Sequence, residues 1–294
     1  MMSDPARGHL AMLIFSALVA GSFSLGALIA NLIDPMALTA LRMALAAILM
    51  GAAAMAGGIP QGALHSPWRY LLLGGLYAVY FVLMFEGLKT APPVSTAAVF
   101  TMTPVLSGLF GWLLLRQVMT GRMAAALVIG AAGALWVIFR GDPAAFLGFD
   151  VGRGEAIFFV GCAAHALYTP MVRRLNRGEP TRVFTFGTLV GGTLVLGVCA
   201  WPALATTGWS ALPAIVWVTV AYLTVFATAI SFWLVQFATL RLPSAKVMAY
   251  TYLTPVWVIL WEAALGSALP EWRVLAGGTP VVLALLLLLK GGGR

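Results

Sequence analysis

Four ionisable side chains stand inside long apolar stretches of this sequence: Arg42, Glu86, His165 and Glu262. A charge at the centre of a bilayer costs about 2.5 to 3.5 kcal/mol on insertion scales, so such residues persist where they bind, gate or relay protons. Arg42, Glu86 and Glu262 fall toward the same-side ends of their stretches, where a structural ion-pair network competes with a gate. His165 alone falls near the middle. Neutral imidazole donates and accepts at little desolvation cost, so it serves equally as a bonded core residue or as part of a cavity wall. Tyr168 follows close to one turn later on the same helical face. Tyr80 and Tyr250 also fall near mid-depth, among Tyr77, Phe81 and Phe100, and each phenol needs a partner away from water. Aromatic walls with few polar groups suit amphipathic or aromatic small molecules.

These residues do not form a catalytic set. Hydrolysis or group transfer needs a nucleophile with a base, a carboxylate pair or metal ligands. The sequence has no Asp/Glu pair at mid-depth and no His-rich cluster, and Cys162 and Cys199 lack a Cys-x-x-Cys context. No enzyme chemistry, metal, disulfide framework or cofactor is therefore expected.

Proline supplies a different signal. Pro104 and Pro255 each follow another proline, Pro92 and Pro243, by twelve positions. An interior proline frees the carbonyl four residues earlier, here Phe100 and Thr251. In lipid such carbonyls either line a cavity or are covered by a neighbouring threonine. Thr101, Thr103 and Thr254 stand close by. The symmetric pair favours hinges beside a binding site, with a substrate between the halves touching His165, Tyr168, Tyr80, Thr101, Tyr250 and Thr254. Pro104, Pro255, Arg42, Glu86 and Glu262 are the expected hinge or gate residues.

The elements that must position these residues are membrane helices. The chain is 62% hydrophobic and 9% charged, about a third of the charged share of a soluble domain. Apolar runs of about twenty residues recur, the length a helix needs to cross about 30 Å of hydrocarbon. They are continuous rather than alternating, so an all-α fold is expected and not a barrel. About ten spans are predicted: 8–32, 36–57, 68–89, 93–115, 121–139, 153–175, 180–201, 213–240, 244–266 and 272–289. The basic residue Arg7 precedes an apolar stretch too long for a signal-peptide core, so it is read as a retained first span.

Lys+Arg number 17 against 9 Asp+Glu, a balance read as a topology signal and not as a nucleic-acid surface. With both termini on one side, that side collects Arg7, Arg69, Arg116, Arg122, Arg173, Arg174, Arg177, Arg182, Arg241, Lys246, Lys290 and Arg294. The other side holds Lys89, Arg140, Arg153 and Arg273. The termini are expected to be cytoplasmic, and Gly141 to Asp150 to face outward.

The single membrane domain, 1–294, repeats internally. Thr90 to Pro104 aligns with Arg241 to Pro255 at a constant offset, which also pairs Arg122 with Arg273, and Asp34-Pro35 resembles Glu179-Pro180. Two five-helix repeats, 8–139 and 153–290, are expected to be joined by a link over 140–152. An odd number of spans per half inverts the second repeat. Gly187-x-x-x-Gly191 and Ala126-x-x-x-Gly130 permit close helix contact, within the bundle or in a dimer.

This pattern resembles the drug/metabolite transporter superfamily, in particular the EamA-type ten-helix exporters, over the whole chain. The resemblance rests on Leu41-Arg42-Met43, on Ala91-Pro92-Pro93 with Thr103-Pro104, on their copies Leu242-Pro243 and Thr254-Pro255, and on Trp261-Glu262. Gly111 departs from it, standing where symmetry would place a second carboxylate. Within the superfamily the chain is similar to the YddG-type amino-acid exporters. The resemblance implies a monomeric or dimeric secondary transporter in a bacterial inner membrane, exporting neutral or aromatic amino acids and similar amphipathic metabolites. With no acid at mid-depth, facilitated movement is expected over carboxylate-driven proton exchange. A membrane enzyme, a channel and a proton-coupled drug exporter are the alternatives.

Overall fold

A computed structural model of the chain describes residues 3–63, 65–117, 120–139, 141–148, 151–268 and 271–290. All ten apolar stretches are helical, and no strand occurs among the described residues. Arg140, Asp150 and Arg294, which the topology reading uses, lie outside them.

The first half comprises α1 (Asp4–Ile29), α2 (Pro35–Ala56), α3 (Trp68–Leu88), α4 (Pro93–Phe100), α5 (Thr103–Leu115) and α6 (Gly121–Ile138). A short α7 (Pro143–Gly148) lies in the link. The second half runs through α8 (Arg153–Leu175), α9 (Thr181–Cys199), α10 (Trp201–Thr206), α11 (Ala214–Thr224), α12 (Ser231–Thr239), α13 (Ser244–Met248), α14 (Thr254–Ala264), α15 (Trp272–Ala276) and α16 (Gly278–Lys290). A π-helical segment, Val225–Ile230, joins α11 to α12, and a 3-10 turn, Ala249–Leu253, joins α13 to α14.

Eight of these helical stretches are long and apolar enough to cross a membrane. The ninth is interrupted by the 3-10 turn, and the tenth is shorter, apolar over Trp272–Leu287. Large apolar side chains lie open on the outside of the bundle, among them Ile48, Val128 and Val198. In water that surface would aggregate; against acyl chains it costs nothing.

Contacts between helix ends divide the bundle into two faces. One face joins the start of α1 to Arg241 and Leu242, the end of α2 to Arg182, the start of α3 to Leu175 and Glu179, and Leu114 of α5 to Arg174. The other joins Asn31 to Lys89, the end of α3 to the start of α8, Ser95 of α4 to Glu155, and Trp136 of α6 to Arg273. Most described basic residues lie at the first face, called here the basic face.

Equivalent helices pack together and run antiparallel in three cases: α2 with α9, the broken pair α4/α5 with α13/α14, and α6 with α16. α4 meets α14, while α5 meets α13. Gly51, late in α2, and Gly57, which caps its end, meet Phe186 and Arg182, early in α9. Gly133, late in α6, meets Pro280, early in α16. A pseudo-two-fold axis lying across the helices requires this arrangement, and it is the geometry of an inverted repeat.

Both small-residue spacings are used inside the chain. Gly187 and Gly191 face Tyr70 of α3, and Gly130 faces Tyr252. A Cβ on Gly74 would collide with the backbone of Gly192 and Thr188, so α3 and α9 touch main chain to main chain. Such close approach is how small residues bind helices in lipid.

Candidate functional site

The centre of the bundle is an aromatic cluster drawn from α1, α3, α4, α8 and α12. His165 is buried, and its ring stacks on Tyr80 at 4.4 Å and on Phe100 at 5.2 Å between centroids. Its Nε2 lies 3.1 Å from Tyr77 Oη, and its Nδ1 has no partner. Tyr77 packs edge-on to Tyr168 at 4.2 Å and against Phe232 at 3.7 Å, which closes the centre.

On the basic-face side the cluster ends in a polar chain. Gln236 Nε2 donates to Tyr168 Oη at 2.6 Å and to Thr188 Oγ1 at 3.3 Å, while Thr185 Oγ1 donates to Gln236 Oε1 at 2.6 Å. On the other side it ends in Arg42, fully buried with its guanidinium 3.8 Å above the Phe81 ring. Arg42 Nε donates to Thr228 Oγ1 at 2.8 Å, and Nη2 donates to Ala227 O at 3.1 Å and Leu223 O at 3.5 Å. Those acceptors belong to the π segment and the turn before it. A π turn shifts the usual i to i−4 pairing and is frequent at functional sites.

Of the six expected substrate contacts, His165, Tyr168 and Tyr80 come together. Tyr250 lies apart, its hydroxyl 3.0 Å from His9 Nδ1 of α1. Thr101 turns back to donate to Ala98 O at 2.6 Å, and the buried Thr254 hydroxyl has no partner.

The prolines break their helices differently from the interior kinks expected. Pro104 and Pro255 sit in the first turns of α5 and α14, just after tight turns. The Phe100 carbonyl accepts from the Thr103 hydroxyl, and the Thr251 carbonyl accepts from the backbone N–H of Thr254. Both freed acceptors are thus covered locally.

No ion-pair network joins Arg42, Glu86 and Glu262. Glu86, in the last turn of α3, accepts from Lys89 at 2.6 Å, both side chains being partly exposed, and Glu262 accepts from Ser267 at 2.9 Å. The spans bury more charged residues than the four their sequence singles out. Arg69, Glu155 and Lys246 are buried as well. Arg69 Nη2 donates to Glu179 Oε1 at 2.8 Å and Nη1 to Leu175 O at 2.6 Å, while Ser95 donates to Glu155 at 2.7 Å. Burial opposes ionisation of Glu179, but hydrogen bonds from Arg69 and from the Arg177 N–H outweigh it and hold the carboxyl below its usual range.

The repeat seen in the sequence and fold is also a family repeat. The sequence matches the EamA-like transporter family over residues 6–139 and again over 152–290. The chain belongs to the EamA-like transporter family. It is 24% identical over 283 residues to "Uncharacterized transporter YyaM" of Bacillus subtilis (strain 168), covering 95% of this chain and 92% of that protein. A protein of known crystal structure shares the fold with a TM-score of 0.73 and 22% identity, over 99% of this chain and 98% of its own. The protein is accordingly a multi-pass membrane protein of a transporter family.

Sequence reasoning missed Gln236, Thr185, Thr188 and Thr228. A glutamine inside an apolar run was the available signal for the first, since a buried amide must find partners.

Proposed function

We propose that the protein exports neutral or aromatic amino acids and similar small metabolites across a bacterial inner membrane by facilitated alternating access, with the basic face cytoplasmic. The observation that carries this reading is the closed aromatic centre between two antiparallel-related halves, with a polar group set on each side of it. A substrate reaching that centre from one face has to separate Tyr77 from Phe232, and leaving by the other has to pass the second polar set. The broken helices α4/α5 and α13/α14 flank the centre and supply pivots, because a tight turn bends at lower cost than a continuous helix. The polar-aromatic wall permits amino acids; the choice of that class rests on the likeness to amino-acid exporters.

Proton exchange through a carboxylate finds little support at the centre, since Glu86 and Glu262 lie in the last turns of their helices. Counterflow of radiolabelled amino acids into proteoliposomes without a pH gradient is the direct test. Saturable counterflow is expected; strict dependence on an imposed pH gradient, lost in Glu86→Gln or Glu262→Gln, contradicts the facilitative reading. Cysteines placed at Ala144 and Asn176 report orientation, and only the first is expected to react from outside intact cells.

A further inference from the structure

We propose that Arg42 is the docking point for a carboxylate carried by the substrate, an inference that rests on the transport reading and adds the chemistry the site selects. Arg42 sits about two turns into α2 from the face opposite the basic one, with none of its surface exposed. A guanidinium has five N–H donors. Nε and Nη2 are engaged by Thr228, Ala227 and Leu223, and Nη1 has no partner. Among the described residues no carboxylate pairs with it. Carbonyl dipoles and the faces of Phe81 and Phe85 stabilise the charge in part. Buried charges are otherwise paired, and this one lacks its anion.

A purely structural strap between α2 and the π segment explains less. Thr228 Oγ1 already donates to Leu223 O at 2.7 Å, so the segment is tied without Arg42. A neutral donor would hold the same carbonyls with no charge to bury. The second half carries no counterpart: at the spacing that aligns Asp34 with Glu179, Gly187 stands where the first half has Arg42. The guanidinium is thus a feature of the first half alone.

The surroundings narrow the ligand. Tyr80 precedes Phe81 on α3, and its buried Oη also has no partner. A carboxylate has two oxygens, one for Nη1 and one for such a hydroxyl. A phosphate dianion would call for a second cation, but Arg69 and Lys89 are held by Glu179 and Glu86. Phe81 and the rings beyond it accept an apolar side chain. Among the described residues no carboxylate pairs with the guanidinium, so the proposal assigns recognition of the acid group to Arg42.

The test pairs acids with their neutral or cationic analogues: phenylalanine and leucine, their primary amides, 3-phenylpropionate and phenethylamine. Purified protein in detergent is followed by ligand-induced thermal stabilisation, and proteoliposomes by counterflow. Wild type is expected to be stabilised by at least one acid at millimolar concentration and to prefer it to its amide. Arg42→Gln should weaken the acid roughly ten- to a hundredfold, the factor one charge-assisted hydrogen bond carries, and weaken the amide by clearly less, so that the acid preference is lost. Arg42→Lys should keep part of the preference, which guards against loss of folding in the glutamine variant. Equal response of wild type to acids and amides, or to none of the acids, overturns the proposal. Carboxylate-dependent stabilisation without counterflow supports Arg42 and sinks the transport reading alone.

Discussion

Two arginines of this bundle are buried almost completely, and their surroundings are opposite. Arg69, at the start of α3, meets Glu179 at 2.8 Å and two carbonyls, and so fastens the loop between α8 and α9 to the basic face. Arg42, deep in α2, meets no carboxylate among the described residues and leaves Nη1 without a partner. The contrast separates a charge buried to hold the fold from one buried in wait for something else. The acidic residues of the Asp34/Glu179 repeat pair divide in the same way. Asp34 caps α2 by accepting from the N–H groups of Met36 and Ala37, whereas Glu179 leaves its helix start uncapped and serves Arg69.

The contrast breaks most sharply at Glu179. Glu179→Gln leaves Arg69 buried without its anion and should lower stability by about 3 to 5 kcal/mol, read by denaturation in detergent. The same pair fixes an acid response. Because folding depresses the Glu179 carboxyl, its contribution is complete above the ordinary value of about 4.3 and fades as pH falls through the lower folded value. The glutamine variant should lack that part of the acid transition. Gly191→Ala comes next, since its Cβ would meet the Tyr70 main chain; overpacking there should cost about 1 to 3 kcal/mol. Thr103→Val uncovers the Phe100 carbonyl and should cost about 1 kcal/mol. Arg42→Met should change stability least, by under about 1 kcal/mol, because an apolar side chain replaces a charge that has no counterion.

The helices were legible because apolar runs of membrane length leave little choice of structure. The position of both breaks was legible from the prolines, while their form, a tight turn ending one helix before the next begins, was not. Covering of the Phe100 carbonyl by Thr103 stood as one of two alternatives, since it needs only a hydroxyl three residues away. What the sequence withheld depends on distant partners. Gln236 meets Tyr168, Thr185 and Thr188 from two other helices, and nothing in its own stretch signals them. Phe226 lies on the surface. It sits in the π segment, where one extra residue in the turn rotates everything after it by about 100°, so extrapolation along a helical face fails.

Transport by Arg42→Met, at an amount of folded protein matched to wild type, tests most directly whether that arginine waits for a substrate. A normal melting transition with counterflow reduced about tenfold or more is expected, the loss that follows removal of one charged hydrogen-bond donor. Counterflow at the wild-type rate from a normally folded Arg42→Met protein would contradict it.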